Sequence, residues 1–196
     1  MNYVLGVIAI VIAIISYSFY FRDIFKHKTK PHGVTWFIWG TLNLFIFYEQ
    51  MAGGAGPGAW VTGAAAVANL AIFGFAFKYG ERNITRLDWS CLLIGLLALS
   101  LWLVNPGGVL SVILACIVFV IGFIPTLRKS FKHAEQETII TFALNSTKFL
   151  VALFALQIVS ITTALYPAVL LAVNGFFASF LLYQRMSIRI KASAKS

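Results

Sequence analysis

The sequence predicts an all-α polytopic membrane protein: seven transmembrane helices, arranged as two parallel three-helix repeats joined by one linker helix, a 3+1+3 plan. Three observations carry that expectation. Apolar runs of about 17–25 residues, enough to cross a bilayer core of ~30 Å, follow one another along almost the whole chain. Basic residues gather in alternate connections between those runs. The first three runs also align with the last three at a nearly constant shift of 106 residues.

Composition sets the frame. Of 196 residues, 60% are hydrophobic and only 11% charged, with a mean hydropathy of +0.89. A soluble domain carries roughly 25% charged residues to cover its surface, and this chain lacks them. The net charge of +9 does not point to nucleic acid, because the basic residues form short clusters between apolar runs instead of one continuous face. Cys91 and Cys116 fall within apolar runs and read as small buried hydrophobes, not as a disulfide or metal pair. His27, His32 and His133 lie in charged connections and read as solvated.

The spans are expected at residues 3–21, 34–50, 59–78, 89–104, 108–126, 138–156 and 161–183. The first reads as a retained anchor, since it has no basic leading segment and no small-residue cleavage signal. The second is followed by Gly53-Gly54-Ala55-Gly56-Pro57-Gly58, an outside loop. No strand precedes that loop and no Lys-Ser/Thr follows it, so it is not a phosphate cradle. Asn105-Pro106-Gly107-Gly108 marks a tight turn between spans four and five. Trp60, Trp89 and Trp102 near span ends fit an interfacial aromatic belt.

Orientation follows from the basic clusters. Arg22, Lys26, Lys28 and Lys30 occupy the first connection, Lys78, Arg82 and Arg86 the third, and Arg128, Lys129 and Lys132 the fifth. With Arg185, Arg189, Lys191 and Lys195 of the tail, these are 14 of the 15 Lys and Arg residues. An odd number of crossings puts all four clusters on one side, which is cytoplasmic by the positive-inside rule. The chain is therefore expected in the cell membrane as a multi-pass protein, N-terminus outside and C-terminus in the cytoplasm.

The repeat is read from several weak matches that agree. Phe25-Lys26-His27 recurs as Phe131-Lys132-His133, Arg22 meets Arg128 and Thr35 meets Thr141. One residue of slippage later, Asn69 meets Asn174 and Phe75 meets Phe180. A three-helix unit begins and ends on opposite sides, so an unmatched fourth span lets its copy insert in the same orientation. Parallel repeats with a site between them form a transporter architecture. Residues 1–80 are expected as the first bundle, 81–107 as the linker helix, 108–184 as the second bundle and 185–196 as a basic tail.

The run from Arg22 through Lys30-Pro31-His32-Gly33-Val34-Thr35-Trp36 resembles the PQ-loop stretch, in which a Pro-Gln pair closes one helix and Ser/Thr with an aromatic opens the next. Pro125-Thr126-Leu127-Arg128-Lys129 through Thr141-Phe142 resembles a second copy. The chain thus looks like a divergent member of the PQ-loop and SWEET-like transporter superfamily. That resemblance implies seven spans, two bundles and a solute pocket, with Asn69 and Asn174 matching the asparagine carried by the third helix of each repeat. Neither copy has the glutamine: Asp23 and Thr126 stand there, and only the second has its proline.

Few residues can carry chemistry at membrane depth. Lys148 lies about ten residues into span six, at ~15 Å. A charge there costs about 2.5–3.5 kcal/mol on insertion scales and faces a partner or a wet cavity; it either neutralises an anionic solute or is satisfied within the bundle. Asn69 and Asn174 are expected as paired solute contacts, the alternative being interhelical hydrogen bonds. Asn43 and Asn145 offer further amides, and Trp39 can wall the cavity while Trp36, one turn earlier, anchors at the interface. Pro31 and Pro125 are candidate hinges, or simply helix terminators.

The acidic residues Asp23, Glu49, Glu81, Asp88, Glu135 and Glu137 all fall at span ends or in connections, and no catalytic motif is present. The expected function is transport of a small polar solute, sugar-like or a small anionic metabolite, by alternating access; the alternative is a non-transporting scaffold or receptor of the same fold. No enzyme activity, cofactor or metal is expected. The expected partners are the solute and the lipid bilayer. The oligomeric state is open, a homo-oligomer included.

Overall fold

The computed structural model describes residues 1–104 and 108–193. Among them are seven α-helices: α1 (Asn2–Phe25), α2 (Gly33–Ala52), α3 (Trp60–Tyr79), α4 (Arg86–Val104), α5 (Gly108–Lys132), α6 (Ile139–Ala155) and α7 (Ile161–Ser193). Short 3-10 turns at Gly56–Ala59 and Ala134–Gln136 complete the described elements. Asn105, Pro106 and Gly107 of the expected tight turn lie outside the described residues, as does the side chain of Trp102.

Four of the described helical segments are long and apolar enough to cross a membrane: Asn2–Phe25, Gly56–Tyr79, Gly108–Lys132 and Ile161–Ile188. Ile139–Ala155 is apolar but shorter. The apolar side chains of α2 are interrupted by Asn43, Glu49 and Gln50, all three buried, so its composition understates how well it suits the interior.

Local chemistry explains the helix ends. Thr85 and Asp88 form a reciprocal capping box at the start of α4, with Thr85 N–H donating to Asp88 Oδ2 at 2.7 Å and Asp88 N–H to Thr85 Oγ1 at 3.4 Å. Ser160 and Thr163 do the same for α7, at 2.9 and 3.3 Å. After α2 the chain turns through Gly54 and Gly56, whose φ of 77° and 58° favour a residue without Cβ. Pro57 then starts the 3-10 turn that leads into α3.

Several helices run past the expected spans. α1 and α5 continue four and six residues further, to Phe25 and Lys132, and α7 reaches Ser193. Hydropathy marks where apolar composition stops, whereas backbone hydrogen bonding carries a helix on into the charged region. The expected tail from residue 185 is thus, up to Ser193, a continuation of α7.

α3 contacts both α1 and α2, and α7 contacts both α5 and α6. α1 also lies against α6, and α2 against α5. α4 packs on α5 and α2 from outside. Polar stitches cross the same seams: Thr141 Oγ1 donates to Ser16 O at 3.0 Å between α6 and α1, and Thr126 Oγ1 to Thr35 Oγ1 at 3.0 Å between α5 and α2. Thr35 and Thr141, matched in the sequence, are both buried here.

Candidate functional site

A small cavity lies among α1, α2, α3, α5, α6 and α7, lined by Tyr17, Trp36, Trp39, Asn43, Ala65, Asn69, Phe119, Asn145, Phe149, Leu170 and Asn174. Its volume is ≈ 10 Å³, about the room one water molecule needs. Five of the six residues expected to contact solute therefore share one wall system: Asn69, Asn174, Trp39, Asn43 and Asn145.

The lining has an internal order. Trp39 and Asn145, and Asn43 and Phe149, stand 106 residues apart. Ala65 and Leu170, and Asn69 and Asn174, stand 105 apart. The same two shifts found by aligning the chain on itself thus pair eight of the eleven lining residues, two pairs from α2 and α6 and two from α3 and α7.

The amides are already engaged. Asn69 Oδ1 accepts from Tyr17 Oη at 3.0 Å, and Asn43 Oδ1 from Tyr166 Oη at 3.3 Å. Asn43 Nδ2 donates to Trp39 O at 2.7 Å, and Asn174 Nδ2 to Leu170 O at 2.8 Å. Ser16 Oγ sits 2.9 Å from Asn145 Oδ1 and 3.0 Å from Thr141 O, so a single hydroxyl hydrogen is shared. Trp39 Nε1 donates to Phe119 O at 3.0 Å, and its ring stacks on Phe119 and Phe123.

Lys148 departs from expectation. It is fully buried and does not line the cavity; its Nζ lies behind Tyr17, 3.1 Å from the hydroxyl. The ammonium also sits 4.2 Å from the centroid of the Tyr17 ring and 5.1 Å from that of Phe149. Trp36 is a second correction. It is 1% exposed, packs on Tyr20 at 4.7 Å and lines the cavity, because the first connection and α1 cover the start of α2. Pro125 is buried inside α5, and Pro31 precedes α2 in the connection. α7 holds a further internal proline, Pro167.

A polar knot closes the basic end. Lys129 pairs with Glu137, both buried, and also donates to Lys30 O. Tyr20 Oη donates to Glu137 Oε2 at 3.0 Å, and Arg185 of α7 binds the Ala134 and Glu137 carbonyls. Thr29 and Thr138 meet at 2.7 Å, and Thr138 donates to Asp23. Burial pushes the Glu137 carboxyl above its ordinary value despite the neighbouring Lys129.

Beside this knot, Asp88 holds Arg128 at 2.8 Å and lies 3.4 Å from His32 Nε2. His32 was expected to be solvated but is fully buried. Burial lowers its imidazole below the ordinary value, although Asp88 pulls the other way. Burial also opposes the Asp88 carboxylate, but hydrogen bonds from Thr85 and the charges of His32 and Arg128 outweigh it, so its value falls. Connections rich in charge suggest solvent to a sequence reader; these fold back over the helix ends.

No family model, curated protein or solved structure matches the chain. Fold and site together define, among the described residues, an all-helical protein with four helical segments long and apolar enough to cross a membrane and a small polar cavity between its helices.

Proposed function

We propose that this chain is a seven-span membrane transporter, built as two parallel three-helix bundles plus a linker helix, that moves a small polar solute by alternating access. Its N-terminus is outside and its C-terminus cytoplasmic, with the polar knot on the cytoplasmic side. The observation that carries the reading is the cavity lining: four residue pairs related by the shifts of 105 and 106 converge on one polar space. Corresponding helix faces meet at the centre when parallel copies sit around an axis along the membrane normal.

Closure at both ends supports an occluded form. Towards the basic end the Tyr20, Trp36, Phe123 and Phe142 rings pack tilted or edge to face, backed by the Lys129–Glu137 knot. Towards the other end Gln50 donates to Thr163 O and Asn2 to Leu156 O. Uptake of radiolabelled sugars, polyols and small organic acids into proteoliposomes tests the function. Saturable uptake that falls in Asn69→Ala and Asn174→Ala supports it. Absence of uptake across the whole panel, with folded protein in the bilayer, refutes it.

The small free volume favours a second reading, a non-transporting scaffold or receptor with the same fold. Under that reading the two substitutions change stability without changing any flux.

A further inference from the structure

We infer that the central cavity selects a small carboxylate, and that Lys148, Tyr17 and Asn69 form the relay that recognises it. This rests on the transport reading above and names the substrate class of that site.

The starting point is a charge with no counter-charge. Lys148 is 0% exposed, and among the described residues it forms no ion pair and its one hydrogen-bond partner is Tyr17 Oη. An ammonium carries three donors. Removing it from water costs several kcal/mol, and the Tyr17 and Phe149 ring faces return only part of that. A chain retaining a lysine there gains if an anion completes the set.

The relay fixes which atoms meet that anion. A protonated lysine can only donate, so Tyr17 Oη accepts from it. The tyrosine hydrogen is then free for the 3.0 Å bond to Asn69, whose carbonyl oxygen must face Tyr17. The Asn69 amide nitrogen is left with no hydrogen bond among the described residues, on the cavity wall. The chain of donors that starts at Lys148 thus ends, two groups along, in the neutral Asn69 N–H donors at the cavity, with the lysine behind them. A carboxylate offers the matching acceptors and the missing charge. Across the cavity Asn174 spends an N–H on Leu170 O, which leaves its oxygen for a hydroxyl or ammonium of the same solute.

The test compares probes of near-identical shape in which a neutral carboxamide replaces the carboxylate. Glycolate and glycolamide, then lactate and lactamide, are titrated into detergent-purified protein while thermal unfolding is followed; a ligand that binds the folded form raises the midpoint. The acids should stabilise the wild type at concentrations on the order of tenfold lower than the amides. Lys148→Met, which replaces a buried charge with an apolar chain of similar length, should abolish that difference, and Lys148→Arg should keep part of it. Tyr17→Phe should reduce it with the charge still present. Equal responses to acid and amide in the wild type, or an unchanged acid preference in Lys148→Met, would overturn the inference. Proteoliposome uptake of neutral solutes in that same case would leave the transport reading standing. Acid-selective binding without any uptake would do the opposite, retaining the site and refuting transport.

Discussion

Removing one member of the Lys129–Glu137 pair should cost more than removing both. Lys129 and Glu137 are 3% and 1% exposed, so neither charge has water to fall back on. In Glu137→Leu the ammonium keeps two backbone acceptors, Lys30 O and Gln136 O, but loses its counter-charge. An uncompensated buried charge costs ~3–5 kcal/mol, and those two carbonyls place the expectation near ~3 kcal/mol. Lys129→Met/Glu137→Leu removes both charges. What then remains is the Tyr20 hydroxyl without its acceptor and Lys30 O without its Lys129 donor, together about 1–3 kcal/mol. The raised Glu137 carboxyl points the same way: burial outweighs the attraction of Lys129. Unfolding in mixed micelles, followed by the fluorescence of buried Trp36 and Trp39, measures all three variants. A double variant less stable than either single one would refute the reasoning, because the second charge removal would then have relieved nothing.

Acidification should destabilise the fold through His32. Its folded value lies below its unfolded one of ~6.5, so its contribution is complete above that pH and fades as pH falls through the folded value. The slope reaches at most about 1.4 kcal/mol per pH unit for one proton, and His32→Gln should remove it from the unfolding profile. Gly58→Ala places a Cβ 2.6 Å from Leu156 Cδ2 and 2.9 Å from Ala152 O, and should cost ~1–3 kcal/mol in the same assay. Gly74→Ala, which meets nothing within 4 Å, should be neutral or stabilising. Single cysteines at the exposed Ala52 and Lys28 positions, in a Cys91→Ala/Cys116→Ala background, should label from opposite faces of intact cells. Labelling from one face would refute the proposed topology.

The helices were legible in the sequence because a lipid-facing surface and a protein core are both apolar, so each run of apolar residues marks a helix. The same fact hides which face of a helix turns inward. Polar residues break that degeneracy. Asn43, Asn69, Asn145 and Asn174 are costly towards lipid, and all four line the cavity. Tyr17 carries a weaker signal, being one of three phenols in the first span with Tyr3 and Tyr20, and nothing in the sequence singles it out. Trp36 and His32 were misread because proximity to a helix end says nothing about what the next connection covers. Lys148 stands out in the sequence as a lysine inside an apolar run, but only coordinates reveal that Tyr17 stands between it and the cavity.

The shift that pairs the cavity walls also exposes where the two halves have diverged. Asn69 and Asn174 keep the amide on both sides, whereas Trp39 meets Asn145 and Asn43 meets Phe149, an amide opposite a ring each time. The position 106 residues before Lys148 is Leu42, buried and apolar, and the one before Phe123 is Tyr17. The lysine and its phenol partner therefore both belong to the α1–α6 seam, while the corresponding α5–α2 seam holds Phe123 and Leu42. On the proposed reading a duplicated frame supplies two equivalent walls, and these differences put Lys148 behind Tyr17 on one side and leave Leu42 and Phe123 at the corresponding positions on the other. A solute bound between such walls has one favoured orientation, its charged end towards Tyr17 and Asn69. On the proposed reading, the asymmetry separates selection from movement: the repeat provides two bundles that can rock, and the residues that broke the repeat decide what they carry.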